Sequence, residues 1–369
     1  MKILMLVNWK VEYTDKPIGD KQPPDYVAKN QPYWFFRYFP EESNIHVDVA
    51  DIRSFPWLEK FEKNKIRFYI WQTLKALPRL KRYDLVLSHG MQSGIALCLL
   101  RRIFGKGRYK HVVFDIGAFN SARETGRSLR LMQFASKSLD GVIYHTASQK
   151  AYYEKCHPWL LPKSRFIPFG TDTEFFAPDE EMRDRAGQAE PYILCVGYYK
   201  RDWDTLLAAY RQLAESRFDK MVEGIRQVRL RLIGNRNIRT EIEGVEVLDQ
   251  VSVTELKRQI LNALFCVLPL QQFNYSYGQM TLLQQMVLGK AVIAANVSSI
   301  QAYKREGNLM LYEPEDVEGL AACMGELLSN VEKREQMERK ARESVLNVYN
   351  EQNMAKEIYA VIKEWMEKE

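Results

Sequence analysis

The sequence has few cysteines and no long apolar run, and these shortages exclude several classes of protein. Its five cysteines are scattered over 369 residues, and three of them lie in apolar runs, which is typical of small core residues in a reducing compartment. No group of cysteine and histidine has the spacing of metal ligands, so a zinc site is not expected. No apolar run approaches the roughly 20 residues that a membrane span needs.

The chain also lacks the marks of a leader sequence, an internal repeat and a low-complexity tract. Its first residues, Met1–Asn8, contain a short apolar run without a cleavage site of small residues, which predicts a first strand rather than a signal peptide. The composition is 46% hydrophobic and 27% charged, as in an ordinary globular protein. At this length, two domains are expected.

Charge is distributed unevenly along the chain. Residues 1–174 carry 28 Lys and Arg against 17 Asp and Glu, a net +11, whereas the remainder carries 25 against 30, a net −5. The basic half is either a solvated surface or a surface that meets an anionic partner. Because no nucleic-acid-binding motif is present, we expect an anionic membrane surface or a phosphate-bearing acceptor rather than nucleic acid.

Short apolar runs alternate with amphipathic segments throughout. The predicted strands are Lys2–Asn8, Ile45–Ala50, Asp84–Ser88, Lys110–Asp115, Gly141–His145, Ser164–Pro168, Tyr192–Gly197, Val228–Gly234, Val245–Leu248, Leu264–Leu270, Ala291–Ala295 and Leu309–Tyr312. The predicted helices are Ser93–Phe104, Leu129–Ser138, Ala147–Cys156, Asp204–Ala214, Thr254–Ala263, Met280–Val287 and Val317–Leu328. Continuous apolar strands suit parallel sheets that are buried on both faces.

Strand–helix alternation occurs twice and predicts an α/β fold of two doubly wound, Rossmann-like parallel-sheet domains facing across a cleft. The boundary is expected near Gly170–Asp179, which gives domains of residues 1–172 and 173–352. Ligands of such sheets bind at the carboxyl ends of the strands, with phosphates at helix N-termini. The pattern therefore indicates a nucleotide or phosphate ligand by analogy of fold.

Three segments depart from the alternation. Residues 9–32 contain four prolines and predict a long loop, and such loops are often functional. The aromatic cluster Tyr33–Phe39 is either a core helix or a membrane contact. The last amphipathic segment, Met354–Lys368, predicts a helix whose apolar stripe covers another part of the protein.

Several segments together resemble the retaining GT-B glycosyltransferases of family 4, the glycosyltransferase group 1. The segments that carry the resemblance follow one another in the expected order: Leu139–Lys150, Arg165–Pro178, Tyr192–Gly197, Asp204–Ala209, Val267–Leu270 and Tyr275–Ala294. Each is weak alone, but together they cover most of residues 80–330.

The resemblance implies a metal-independent transfer of a sugar, with retention at the anomeric carbon, in glycan or cell-envelope synthesis. It implies a UDP- or GDP-linked donor in the C-terminal domain, a sugar, lipid-linked or other small acceptor in the N-terminal domain, and no cofactor. It further implies that the last helix, residues 353–369, returns to the N-terminal domain. The expected location is the cytoplasm, including the inner face of the membrane.

The same resemblance assigns donor contacts to the first strand of the C-terminal domain. Arg201 falls where the family has a lysine, Tyr198 replaces the family's arginine, and Lys200 partly compensates. Side-chain cations at this place would stabilise the leaving diphosphate. The alternative is that Lys200 and Arg201 are solvated loop residues. The strand-end residues Gly197 and Leu248 are expected beside the nucleotide. Asp202-Trp-Asp204 looks like a metal motif of another fold, but Asp204 is better interpreted as a helix N-cap.

The loop and helix that begin at Tyr275 supply the remaining donor contacts. Gln284 stands where the family has a ribose-binding glutamate, and Ser276 or Tyr275, depending on the register, stands where it has a second glutamate near the sugar. A glutamine amide can accept the ribose hydrogen bonds. The N–H groups from Gly278 on are expected to face the diphosphate. The predicted contacts of this segment are Tyr277, Gly278, Gln279, Met280 and Thr281.

The acceptor side is expected at the strand ends of the N-terminal domain. Asp115 ends a strand where the family has a histidine, and its carboxylate either accepts a proton or holds a sugar hydroxyl, or else caps the next turn. His89 ends a neighbouring strand, Gly117 follows Asp115, and Gly19 is the only glycine of residues 9–32. His145 is interpreted as a structural residue at a strand end.

Two functions fit these observations. One is an active, metal-independent glycosyltransferase. The other is a catalytically inactive nucleotide-binding or scaffold module with the same fold, which the two missing glutamates and Tyr198 favour.

Overall fold

The computed structural model of the chain describes residues 1–117, 124–183, 190–197, 200–215, 228–234, 238, 240–273 and 276–367. It divides into two compact units. Unit 1 consists mainly of Met1–Pro168 and the C-terminal segment from Gln352, and unit 2 of Phe169–Phe273 and Tyr277–Glu351. The sequence had suggested boundaries at residues 172 and 352.

Unit 1 is built on a six-stranded parallel sheet. Its strands are β1 (Lys2–Leu6), β4 (His46–Ala50), β5 (Leu85–His89), β6 (Lys110–Asp115), β7 (Gly141–Tyr144) and β8 (Ser164–Phe166), in the order β4-β1-β5-β6-β7-β8. The central strands are almost completely buried, as their continuous apolar sequences predict. The chain moves outward from β1 to β4 and then returns to β5, so the order of the strands reverses between β1 and β5.

The helices of unit 1 follow its strands. They are α1 (Pro56–Phe61), α2 (Ile70–Ala76), α3 (Met91–Phe104), α4 (Arg127–Ser136) and α5 (Gln149–Cys156), with a π-helical turn at Glu62–Ile66 and 3-10 turns at Trp34–Tyr38, Glu41–Ser43, Leu77–Arg82 and Pro158–Lys163. Helix α2 packs against α3, and α3 packs against α4.

The sequence predicts a loop over the whole of residues 9–32, but the structure does not have one throughout. They contain two short strands, β2 (Glu12–Thr14) and β3 (Tyr26–Ala28), which form a parallel pair. The adjoining aromatic cluster Tyr33–Phe39 belongs to the core, because Tyr33, Trp34, Phe35, Phe36 and Phe39 are each at most 7% exposed. Its core interpretation is therefore confirmed, and it does not offer a membrane contact.

Unit 2 repeats the architecture with a second six-stranded parallel sheet. Its strands are β9 (Tyr192–Val196), β10 (Arg229–Ile233), β11 (Val245–Leu248), β12 (Phe265–Leu268), β13 (Val292–Ala295) and β14 (Met310–Tyr312), in the order β11-β10-β9-β12-β13-β14. The strand order reverses between β9 and β12. Ligands of doubly wound sheets bind at such a reversal, beyond the carboxyl ends of the strands.

The helices of unit 2 cover both faces of this sheet. They are α6 (Trp203–Glu215), α7 (Val253–Asn262), α8 (Gln279–Val287), α9 (Ser298–Gln301), α10 (Val317–Ser329) and α11 (Val331–Asn347), with a 3-10 turn at Glu180–Met182. The apolar sides of the strands and helices form one core. No helix in the described parts of the chain is long and apolar enough to cross a membrane.

The last helix, α12 (Glu351–Glu367), packs on unit 1, as the resemblance implied. Trp365 is 5% exposed and lies so close to Gly141 that a Cβ atom there would overlap the indole ring. Arg165 forms an ion pair of 2.8 Å with Glu364. The chain leaves unit 1 and returns to it at adjacent points, because Thr171 and Asn350 form a parallel bridge.

Candidate functional site

The strand-order reversal of unit 2 brings two loops together. The loop after β9 pairs with the loop after β12 through a bridge between Arg201 and Leu270. The amide of Asp202 donates to the carbonyl of Pro269 at 2.8 Å, and the amide of Gln271 donates to that of Lys200 at 3.2 Å. Backbone pairing therefore holds both predicted cations at the carboxyl edge of the sheet, where the fold favours a ligand.

Arg201 is held tightly at this edge. Its side chain is 5% exposed, its Nε donates to the carbonyl of Val196 at 2.9 Å, and its guanidinium lies 5.4 Å from the centre of the Tyr277 ring. Gly197 has a φ of +137°, and a Cβ atom on it would overlap the guanidinium. Glycine at 197 is therefore needed both for the backbone and for the placement of the cation.

Lys200 is the second cation of this loop. Its φ of +58° is in the left-handed region, which a side chain other than glycine enters at a cost. Its Nζ lies 3.7 Å from the centre of the Phe273 ring, a distance typical of a cation–π contact. Strained backbone of this kind concentrates at functional sites.

The acidic pair beside these cations serves the start of α6. Asp202 accepts from the Thr205 amide at 3.2 Å and from the Thr205 hydroxyl at 2.7 Å, the pattern of an N-cap. The prediction that Asp204 is the cap was wrong, because the helix begins two residues earlier and Asp204 is exposed in its first turn. In the described residues, no group of three or more His, Cys, Asp or Glu is arranged to hold a metal ion.

Helix α8 begins at the same edge. Gly278 precedes it with a φ of +84°, and a Cβ atom there would lie 2.6 Å from Cδ1 of Leu270. The N-cap residue, Gly278, has no side chain with which to cap the helix, and the first turn of a helix has no intrahelical acceptor for its N–H groups. Gln279 is 4% exposed, Met280 is 49% exposed and Thr281 is half-buried. This end of α8 therefore has the geometry of an anion-binding helix N-terminus.

The other predicted donor residues are distributed differently. Gln284 is 8% exposed, one turn beyond Met280 and Thr281 on the same helix. Leu248 is half-buried at the end of β11, where its carbonyl accepts from the amide of Gly234 at 3.1 Å. Ser276 groups with unit 1, where its hydroxyl lies 3.2 Å from that of Thr146. Tyr198 and Tyr275 lie outside the described residues.

The strand-order reversal of unit 1 carries a different set of side chains. Asn8 follows β1 and donates from Nδ2 to Oε1 of Gln92, near the start of α3, at 3.0 Å. The Trp9 and His89 rings meet edge to face with centroids 4.7 Å apart, and the centroid of Trp34 lies 5.7 Å from that of His89. Asn8, Trp9 and Gln92 were not among the site residues predicted from the sequence. For Asn8 and Trp9, the position directly after the first strand was the signal that could have identified them.

His89 is a neutral side chain in this aromatic surrounding. Burial, and then the nearby His145, lower its pKa to about 3. Its Nδ1 is buried and has no hydrogen-bond partner in the described residues. A neutral imidazole nitrogen can donate to, or accept from, a ligand hydroxyl.

Asp115 is fully buried at the end of β6. One carboxylate oxygen accepts from the amide of Gly117 at 2.8 Å and the other from the hydroxyl of Tyr153 at 2.5 Å. Gly117 has a φ of +124°, as this tight turn requires. Of the two alternatives for Asp115, the structure favours the turn cap, because both oxygens already accept hydrogen bonds.

The remaining acceptor candidate and the structural histidine also have clear environments. Gly19 is exposed, and a Cβ atom on it would meet nothing within 4 Å, so this position does not require glycine. His145 donates from Nδ1 to the carbonyl of Ile167 at 2.7 Å, and its ring stacks on that of Phe114. The structural interpretation of His145 is therefore supported.

Comparison with known proteins bears on both units. Residues 190–330 match the family model described as glycosyl transferases group 1. No curated protein matches the chain.

Solved structures resemble the whole chain. Sucrose-phosphate synthase from Thermosynechococcus elongatus is 18% identical, with a TM-score of 0.68 and 99% of each chain covered. The Anabaena protein HepE in complex with UDP-glucose is 14% identical, with a TM-score of 0.67, 99% of this chain and 100% of that chain covered. A glycosyltransferase from Rickettsia africae is 12% identical, with a TM-score of 0.68, 100% of this chain and 99% of that chain covered. At such identities the likeness concerns the fold. The chain thus has the fold of the GT-B glycosyltransferases, and its residues 190–330 match the family model of the glycosyl transferases group 1.

Proposed function

We propose that the protein transfers a hexose or related sugar from a UDP- or GDP-linked donor to an acceptor. The observation that carries the proposal is the edge of unit 2, where Arg201 and Lys200 are held by the backbone and where α8 begins at a glycine N-cap. The HepE structures, which contain UDP or UDP-glucose, support a uridine nucleotide as the first donor to test.

The chemistry of this edge fits a leaving nucleoside diphosphate. Negative charge grows on the leaving group as the glycosidic bond breaks, and fixed cations and N–H dipoles stabilise it without reorganisation. The guanidinium of Arg201, the ammonium of Lys200 and the first turn of α8 supply such groups. In this proposal the side chains take the part that a metal plays in other transferases, so the reaction is metal-independent.

Gln284 is the proposed ribose contact. It lies one turn beyond the start of α8, on the side that carries Met280 and Thr281. Its amide offers both an acceptor and donors to a vicinal diol, in place of the glutamate of the family. Retention at the anomeric carbon is part of the proposal, and it follows from the family resemblance alone.

We assign the acceptor to the edge of unit 1. Trp9 and His89 offer apolar ring surface beside a neutral nitrogen, and the Asn8–Gln92 pair offers amide groups. Pockets that combine aromatic surface with a few polar groups suit small neutral ligands. The proposed acceptor is therefore a sugar hydroxyl, either free or at the head of a lipid carrier.

Substitution of Arg201 tests the donor site. Arg201→Ala should lower kcat roughly 100- to 1,000-fold, the usual effect of removing one group that stabilises transition-state charge. The measurement is turnover on a panel of UDP- and GDP-sugars, with thermal unfolding to verify the fold. Arg305→Ala is a matched control, because that guanidinium also lies 5.4 Å from a tyrosine ring of unit 2, that of Tyr349, away from the proposed site. Normal turnover of folded Arg201→Ala would remove Arg201 from the mechanism.

The absence of both family glutamates also favours a second candidate, an inactive nucleotide-binding module. A thermal-shift screen with UDP, GDP, ADP and their sugars separates the two, because a ligand of the folded state raises its melting temperature. A strong shift without turnover on any donor and acceptor pair would identify the module.

A further inference from the structure

The outer surface of the unit 1 helices exposes an unusual number of large apolar side chains. We call this surface the basic–apolar face. Its apolar members are Phe55, Trp57, Phe61, Ile70, Leu74, Leu77, Ile103, Phe104, Leu131 and Phe134, which are between 38% and 81% exposed. In the described part of unit 2, the large apolar side chains with comparable exposure are Met280, Val331 and Leu346. A concentration of exposed apolar groups on one unit marks an interaction surface.

These side chains belong to neighbouring helices of one layer. Helix α2 packs against α3, and α3 packs against α4. Arg102 of α3 lies with its guanidinium 5.0 Å from the centre of the Phe134 ring of α4, so the two helices share one surface there. The basic–apolar face therefore extends across several helices.

The segment around α1 is the most exposed aromatic part of the face. Trp57 is 69% exposed and Phe61, one turn later, is 48% exposed, so both project from the same side of the helix. Phe55, directly before the helix, is 56% exposed. Exposed cations surround this segment and continue to the end of the following turn: Lys60, Lys63, Lys65, Arg67, Lys75, Arg79, Lys81 and Arg82.

The acidic residues of the same segment do not offset this charge. Residues 53–82 contain nine Lys and Arg and two Asp and Glu. Of the two acids, Glu59 forms an ion pair with Lys10 at 2.8 Å. Glu62 is 2% exposed, and its carboxylate accepts from the amide of Trp71 at 2.8 Å. The outward charge of the segment is thus positive.

The second half of the face has the same balance. Residues 101–137 contain nine Lys and Arg and two Asp and Glu. Of these acids, Asp115 is fully buried and Glu124 forms an ion pair with Lys155. Lys106 and the buried Arg101 form ion pairs with Asp140. Other exposed cations, among them Arg102, Arg108 and Arg130, accompany Phe104 and Phe134.

We propose that the basic–apolar face docks on an anionic lipid bilayer. Aromatic side chains bind at the interface between headgroups and acyl chains, and lysines and arginines beside them attract anionic headgroups. The long stems of these cations can lie on apolar surface while their charges reach the headgroups. Exposed aromatic groups interleaved with exposed cations suit a bilayer better than a protein interface, whose core is depleted of charge.

This inference concerns binding of the chain to a membrane and does not require the sugar transfer proposed above. It gives a position to the acceptor, because a lipid-linked acceptor would be presented at the surface on which unit 1 rests.

Vesicle flotation tests the proposal without donor or acceptor. The full-length chain is mixed with vesicles of phosphatidylcholine alone or with about one third phosphatidylglycerol. We expect flotation with the anionic vesicles at about 0.05 M salt and a smaller floated fraction at about 0.5 M, because salt screens the exposed charges. Vesicles without anionic lipid should float little protein.

Two variants locate the contact. The triple variant Phe55→Ser, Trp57→Ser and Phe61→Ser should lose most of the floated fraction, and so should Lys60→Glu, Lys63→Glu and Lys65→Glu. If the serine variant does not fold, the charge-reversal variant still tests the contact. The matched control Val331→Ser with Leu346→Ser, which removes exposed apolar side chains of unit 2, should float like the unchanged protein.

The outcomes that overturn the proposal are distinct from failure of the transferase. Absence of flotation at low salt, or flotation of both face variants like the unchanged chain, would overturn it. Tighter binding to duplex RNA or DNA than to anionic vesicles would assign the face to nucleic acid instead. The melting-temperature shift with UDP in each variant reports the donor site separately.

Discussion

The two units share one architecture but differ in their aromatic residues, their histidines and their charge. Each is a six-stranded parallel sheet with a reversal of strand order. Unit 1 contains all five histidines and six of the seven tryptophans, whereas unit 2 contains no histidine and only Trp203. The first 174 residues have a net charge of +11 and the remainder −5. The fold thus constrains the strands and the core, and it leaves the sheet edges and the outer helices free to diverge.

The divergence is sharpest at the two strand-order reversals. In unit 2 the edge is cationic, with Arg201 and Lys200 beside a helix N-terminus. In unit 1 it is neutral and aromatic, with His89 between Trp9 and Trp34. A cationic edge suits a diphosphate and a neutral edge suits a hydroxyl-bearing acceptor, so the contrast matches the division of labour that we propose.

Acidification should produce the largest difference in stability between the two units. Burial lowers the pKa of His89 and His111 to about 3 and of His145 to about 4, against an ordinary 6.5. The unfolded chain therefore binds more protons, so the stability that these groups give is complete above pH 6.5 and is lost as pH falls towards 4. For three histidines, the free energy of unfolding falls by about 4 kcal/mol per pH unit, and this loss affects unit 1 alone.

Tryptophan fluorescence in denaturant at pH 7 and pH 5 measures this effect. In the variant Trp203→Phe, every remaining tryptophan lies in unit 1. Nucleotide-induced thermal shift follows unit 2 in parallel. An unfolding midpoint of unit 1 that does not change between the two pH values would contradict the prediction.

Gly141→Ala should destabilise unit 1 alone. A Cβ atom at this position overlaps the ring of Trp365, so α12 must move, and such overpacking typically costs about 1–3 kcal/mol. Urea denaturation followed by fluorescence measures the change. Gly19→Ala is the matched control in the same unit and should be close to neutral, because nothing lies within 4 Å of its Cβ position. Equal effects of the two substitutions would refute the packing argument.

The smallest effect is expected in unit 2. Asp202→Ala removes the N-cap of α6 and should cost about 1 kcal/mol. Asp204→Ala removes only a favourable charge from the first turn, for which we expect a few tenths of a kcal/mol. Thermal unfolding of both variants measures the difference. If both variants instead made activity depend on added Mn²⁺, the acidic pair would be a metal motif after all.

The strands were predictable from the sequence, whereas several helices were not. All predicted strands occur, with ends that differ by at most two residues, because strands buried on both faces have continuous apolar sequences. Helices α1 and α2 were missed, since their largest side chains face outward and give no amphipathic pattern. Helix α11 was missed because its sequence is mostly polar and buries few residues, among them Met337 and Val345.

The site was predictable only where local pattern decides it. The resemblance identified Arg201, but not that its guanidinium packs under Gly197. The cap of α6 was assigned two residues too late. Asp202 and Asp204 are both aspartates, and only the path of the loop backbone decides which of them caps the helix. For Asp115 the deciding partner is Tyr153, 38 residues away, and such pairings cannot be inferred from local sequence.

The return of α12 to unit 1 sets an order for synthesis of the protein. Domains generally fold as units while the chain is made, from the N-terminus onward. Unit 1 begins first, but Ile358, Ile362 and Trp365, each at most 5% exposed, belong to its last helix. Those positions are translated after all of unit 2. The unit that starts folding first therefore finishes last, and until then the surface around Gly141 is uncovered on the ribosome.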